Sequence, residues 1–286
     1  WKSKSQKSWL IFLLIKKKIK GWLKTGRESA MSWKVLKVIS FKSNLGWMEL
    51  QADGSLFIQG DTAKHDTYEL ELAGLPADIT ALRIEVLPDK RLPKGGPGRA
   101  YYEGPKGDFF LSELKLLAEG KPVDFSRGSE NYAKQWIGKG KPGAMAALDG
   151  DLQTGWSVSG REGKPSQAVW QLASPLTAKS LKMRLDFSRH YSASLGRFRV
   201  SVTTSKREPK ARDYPAEIEM LFIKGKLNQA EQESLRNYYI ENSKDMAKAR
   251  KPIEALRKRI PKGVTTLVMQ ERPEGHERST HRHHRG

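Results

Sequence analysis

The strongest constraint in this sequence is a period of two. Tyr68, Leu70 and Leu72 alternate with Glu69 and Glu71, and Leu82, Ile84 and Val86 alternate with Arg83 and Glu85. The same rhythm returns in Leu181, Met183, Leu185 and Phe187, and in Phe198, Val200 and Val202, with a continuous apolar run at Val169 to Leu172. Successive side chains of a strand point to opposite faces, so each run predicts a half-buried β-strand. Between them lie "ELAGLPADIT", "PDKRLPKGGPGRA" and "GKGKPGA", rich in turn residues. Many short strands with no helical period between them predict a mainly β antiparallel sandwich or barrel over residues 49–205.

The flanks read differently. Lys plus Arg outnumber Asp plus Glu by 12 to 1 in residues 1–48, by 21 to 19 in 49–205 and by 19 to 12 in 206–286. The strand-rich middle is close to neutral, so the net charge of +20 lies in the ends. That distribution makes nucleic acid an unfavoured partner for the middle and leaves nucleic acid or anionic surfaces as an alternative for the basic flank. The apolar run Trp9 to Ile15 is too short to cross a membrane and lacks a cleavage site. Residues 9–24 instead predict an amphipathic helix with Trp9, Phe12, Leu13, Ile19 and Leu23 near one face, within a helical flank over 1–48. Residues 206–261 predict helices, with Pro215 suited to a first turn, Asn228 and Glu231 forming a capping box, and Pro252 ending or kinking the last one. Residues 262–286 predict a strand at Thr265 to Met269 and then a polar tail, read as the start of a following domain. No cysteine is present, which excludes disulfides, zinc–thiolate sites, Cys nucleophiles and a Cys-x-x-Cys-His haem attachment within these residues.

Three stretches carry candidate chemistry. "ALDGDLQTGW", residues 147–156, gathers Asp149, Asp151 and Thr154 around two glycines. These are hard oxygen donors suited to calcium, although the spacing is not that of an EF-hand and equally fits an Asx-type turn anchored by Trp156. Spacing alone favours the turn. "GGPGRA", residues 95–100, has neither dinucleotide-binding nor P-loop spacing and reads as a connecting loop. Its Arg99, with Tyr101 and Tyr102, offers a fork donor and stacking faces for a sugar or carboxylate, and His190 is a further candidate. The terminal His276, His281, His283 and His284 form a histidine-rich tract that invites a metal, without an H-E-x-x-H helix around it. No G-x-S-x-G elbow occurs.

The segments "TALRIEVLPDKRLPKGGPGRA", "GDFFLSELKLL", "AALDGDLQTGWSV" and "LGRFRVSVTT" occur in an order that resembles the central region of planctomycete-type cytochrome c domain-containing proteins. "TLVMQERPE…THRHHRG" is similar to the opening of that family's C-terminal domain of unknown function. The "NYAKQW" to "WQL" portion resembles a discoidin, or galactose-binding-like, sandwich. The resemblance covers roughly residues 33–286. It implies an exported, periplasmic or cell-surface multidomain protein with its c-type haem outside this stretch. By analogy with discoidin-like modules it implies a structural calcium loop of Asp149, Asp151 and Thr154, with Glu113 as a weaker ligand. The resulting expectation is a non-catalytic, carbohydrate-binding jelly roll using Arg99, Tyr101, Tyr102 and His190. The alternative from another class is part of an enzyme whose catalytic centre, completed by a downstream domain, includes the histidine-rich end.

Overall fold

A computed structural model describes residues 2–102, 104–135, 141–189, 191–261, 263, 271 and 274–277, with the backbone alone for 2–15. Two compact units are present, Met31–Ala216 and the combination of Trp1–Ala30 with Glu217–Gly286.

In the first unit the strands are β1 (Lys34–Val35), β2 (Lys37–Ser43), β3 (Gly46–Leu50), β4 (Leu56–Gly60), β5 (His65–Ala73), β6 (Ile79–Val86), β7 (Glu113–Ala118), β8 (Lys121–Pro122), β9 (Phe125–Glu130), β10 (Ser166–Leu176), β11 (Leu181–Ser188) and β12 (Arg197–Thr203). Among the described residues they form two antiparallel sheets. One runs β3-β4-β12-β6-β10-β9 with β1 also on β12, and the other runs β2-β5-β11-β7-β8. The alternation sets the register: Leu70 faces Met183 across β5 and β11, and Leu82 and Ile84 face Val202 and Val200 across β6 and β12. Their buried faces make one shared core, with Tyr68 lying 4.7 Å from Phe187 and 6.1 Å from Phe198 between ring centroids. The architecture is a mainly β antiparallel sandwich.

Two features depart from the sequence expectation. First, residues 1–48 are not helical throughout: β1, β2 and the start of β3 belong to the sandwich. Alternation is broken there because β2 is an edge strand whose register shifts between Val38 and Ser40, leaving Ile39 and Phe41 exposed. Lys37 and Lys42 on that edge are unfavourable to further strand pairing. Second, Arg83 and Glu85, the polar half of β6, are buried. Arg83 donates to Ser201 at 3.0 Å and lies 4.4 Å from the Trp33 ring centre, while Arg199 donates to Glu85 at 3.0 Å. Pairing and ring cover offset the desolvation of these charges. Residues before 216 also differ from the helical expectation for 206–261. This segment is a strap on the sandwich, where Gln167 Nε2 donates to Arg212 O and Tyr214 O at 2.9 and 3.0 Å.

The second unit holds α1 (Lys2–Ser29), α2 (Ala216–Ile223), α3 (Gln229–Asn242) and α4 (Ala247–Lys258). The capping box forms as read: Glu231 N donates to Asn228 Oδ1 at 2.9 Å, and Asn228 N donates to the Glu231 carboxylate at 3.0 Å. Trp22 packs with its ring centre 4.9 Å from that of Phe222, and a Cβ at Gly26 would stand 2.6 Å from the same Phe222 ring. Helix α1 is longer than the expected 9–24, and of the two expectations for Pro252, ending or kinking a helix, the first fails because it lies inside α4. Among the described residues no helix is long and apolar enough to cross a membrane. The expected strand at 265–269 and His281, His283 and His284 lie outside the described residues.

Candidate ligand-binding site

Strand register places the long loops together. Ser166 and Phe198 both pair with Val86, so the loop leaving β6, the loop entering β10 and the loop entering β12 share one end of the sandwich. Loops at the end of a rigid sandwich are where binding groups collect.

The loop after β6 doubles back on itself with backbone against backbone. Gly98 N donates to Gly107 O at 3.0 Å and Ala100 N to Asp108 O at 3.1 Å. A Cβ on Gly98 would lie 1.8 Å from Asp108 O, so no larger residue fits the crossing. The turn that starts it holds Lys94 at φ 53°, ψ 17°. A left-handed lysine costs about 1–3 kcal/mol and persists only where surrounding structure enforces it.

This crossing floors a cleft of about 470 Å³. One wall is aromatic: Tyr102, 44% exposed, stacks on Tyr191 with centroids 5.3 Å apart and planes at 29°. In the wall beside them Asp108 is only 6% exposed, and its Oδ1 is buried without a hydrogen-bond partner. Burial pushes the Asp108 carboxyl up, opposed by its own backbone N–H and the Ser159 hydroxyl; the Glu162 charge pushes further up and Lys94 opposes it. Burial, then the Asp108 charge, likewise pushes the Tyr191 phenol up. Lys94, Lys106 and Lys134 complete the lining with Ser159 and Glu162. A half-exposed aromatic face beside an unsatisfied acceptor is chemistry suited to a polyhydroxylated ring.

Of the residues picked from sequence, Tyr102 lines this cleft, whereas Tyr101, 45% exposed, pairs through its backbone with Pro105 outside the lining. Arg99 is no open fork. It is 4% exposed, and its Nη2 donates to Gly60 O and Asp61 O at 2.5 and 2.6 Å, with Asp66 3.9 Å from Nη1. It ties the loop to the β4–β5 turn, next to Tyr68, whose hydroxyl donates to Leu195 O and is pushed by burial up to about 12. His190 lies outside the described residues.

The tenmer is a bend closed by its own hydrogen bonds. Asp151 N donates to Asp149 Oδ1 at 2.9 Å, Gln153 N to Asp151 Oδ1 at 2.9 Å, and the Thr154 hydroxyl stands 2.7 Å from both Asp149 oxygens. Gly150 N donates to Glu113 Oε1 at 2.8 Å. Burial, ahead of the Asp149 charge, pushes Glu113 up against that bond. Trp156 is fully buried, its ring centre 5.0 Å from Phe109 and 6.3 Å from Trp170, with Nε1 donating to Tyr132 O at 2.9 Å. Among the described residues no group of three or more His, Cys, Asp or Glu is arranged to hold a metal ion.

Sequence reasoning missed Lys94, Lys106, Asp108, Lys134 and Tyr191. Only the glycine spacing around "KGGPG" and "KGD" signals two segments that must cross closely. It also missed the cross-strand pair of His65 Nδ1 and Ser188 Oγ, 2.7 Å apart. No family model, curated protein or solved structure matches this chain.

Proposed function

We propose that the sandwich is a non-catalytic carbohydrate-binding module of the jelly-roll, galactose-binding-like kind, with its ligand in the Tyr102–Asp108 cleft. The carrying observation is the buried, unpartnered Oδ1 of Asp108 in a cleft walled by a tyrosine stack. A sugar ring stacking on Tyr102 would bring hydroxyl donors to that oxygen, and a lost acceptor contact in such a site is costly. The module sits, in this proposal, in an exported multidomain protein of the kind the resemblance implies, and fractionation of the source cells tests that setting. A structural calcium at the tenmer would have to displace the Thr154 hydroxyl and turn N–H groups from the carboxylates, so the tenmer as it stands does not fit the ion, and the proposed sugar site does not depend on it.

The test is binding of the full chain to an oligosaccharide array, with and without calcium, beside Tyr102→Ala and Asp108→Asn. Sugar binding lost in both variants, with unchanged circular dichroism, supports the reading. An array blank for the full chain, or binding indifferent to both substitutions, rejects it.

A further inference from the structure

Arginines of the sandwich are mostly engaged. Arg197 pairs with Asp53 and Asp89, Arg91 with Asp89, Arg184 with Asp186, and Arg199 with Glu85. The lysines of the sandwich differ, since among the described residues Lys210 is the one of them with an ion pair; three of the others meet at the cleft. Lys94, Lys106 and Lys134 come from two separate segments, line one cavity, and have no ion-pair partner among the described residues. Two carboxylates share the cleft: Asp108 is buried in the wall, where the Lys94 charge reaches it, and Glu162 Oε1 accepts from Gly160 N at 2.8 Å. Lys94 is held there on left-handed backbone, so the loop supports an ammonium at a position a glycine would fill with less strain. Three ammonium groups against two carboxylates leave the lining net positive, which favours an anionic group over the weaker hydrogen bonds that neutral hydroxyls accept. An ammonium is a compact charge that suits a carboxylate or sulfate.

We infer that the cleft takes an acidic saccharide, whose carboxylate or sulfate lies among Lys94, Lys106 and Lys134 while its ring stacks on Tyr102 and its hydroxyls donate to Asp108. This rests on the glycan reading above. It adds the ligand's charge, which that reading leaves open.

Calorimetric titration of the full chain with galacturonic acid trimer, a sulfated galactose trimer, the neutral galactose trimer and inorganic sulfate tests it. One or both acidic trimers should bind about tenfold tighter than the neutral one, an advantage that shrinks in high salt. The combined Lys94→Gln, Lys106→Gln, Lys134→Gln variant should bring the acidic trimers down to the affinity of the neutral one. Whichever acidic trimer is tighter identifies carboxylate or sulfate as the group taken. Equal affinities for neutral and acidic trimers, both weakened by Tyr102→Ala, overturn the acidic preference and leave the glycan reading standing. Inorganic sulfate binding as tightly as the sulfated trimer, with Tyr102→Ala without effect, overturns the glycan reading and this inference together. Absence of binding by any of the four probes does the same.

Discussion

Two carboxylate-bearing loops of this sandwich have opposite chemistry. The tenmer 147–156 shows two exposed carboxylates, yet each accepts hydrogen bonds from its own turn. The 93–108 loop contributes a single buried carboxylate, and one of its oxygens has no partner. The first arrangement uses its polar groups to hold a turn, and the second leaves one buried acceptor unpaired, the feature on which the proposed site rests. Density of acidic residues is therefore a poorer guide to a site than an unsatisfied acceptor.

The largest expected effect sharpens the structural half of this contrast. Trp156→Ala removes the tenmer's anchor from the core and should lower unfolding free energy by about 3–5 kcal/mol in urea titration. Gly98→Ala pushes a methyl into Asp108 O and should cost several kcal/mol, about 2–4, while also abolishing ligand binding. Tyr102→Ala should weaken sugar binding by about 1–2 kcal/mol, close to tenfold, with an unchanged melting temperature. The mirror experiment is Asp149→Ala, expected to lose about 1 kcal/mol of stability and no affinity. If it instead lost affinity as Tyr102→Ala does, the division of labour between the loops would be wrong.

Smaller effects follow from pH. Burial raises the Asp108 carboxyl above its unfolded value, so its ionisation works against the fold. That cost is absent below the unfolded pKa and grows as pH rises toward the folded one. Asp108→Asn should consequently melt higher at neutral pH while binding sugar more weakly, and acidification of the native chain should weaken binding. Asp89 behaves oppositely. The Arg91 hydrogen bonds, opposed in part by burial, hold it down to about 2. Its stabilisation is present above the ordinary carboxylate range and is lost as pH falls through about 2, which Asp89→Asn should remove from the acid limb of a melting-temperature profile. Calcium makes the finest distinction. A self-satisfied turn predicts a shift of about 1 °C or less on calcium addition, whereas a rise of several degrees abolished by Asp149→Asn would establish a cation loop.

Much of the sandwich was legible because β5, β6, β11 and β12 bury one face and so keep a strict alternation. Strand β2 escaped detection because an edge strand with a register shift need not alternate. The polar residues of β6 misled in another way: Arg83 and Glu85 read as solvent-facing, and only partners from distant strands let them be buried. For the site, Tyr102 was legible as an aromatic in a turn-rich loop. Arg99 was misread because nothing local reveals that the carbonyls of Gly60 and Asp61 take its guanidinium. Asp108 was invisible because its burial comes from the chain crossing, which no local pattern reveals.

The ionic cluster beneath Trp33 also bears on where this sandwich can be cut. A chain started at residue 49, the border suggested by charge, would strip the indole from Arg83 and remove β1 and β2 together with most of β3. It would open a wet, mispaired arginine patch along the central strands and leave β5 as a raw edge. The smallest autonomous piece must begin near Met31, so the basic leader contributes mortar to the masonry it precedes.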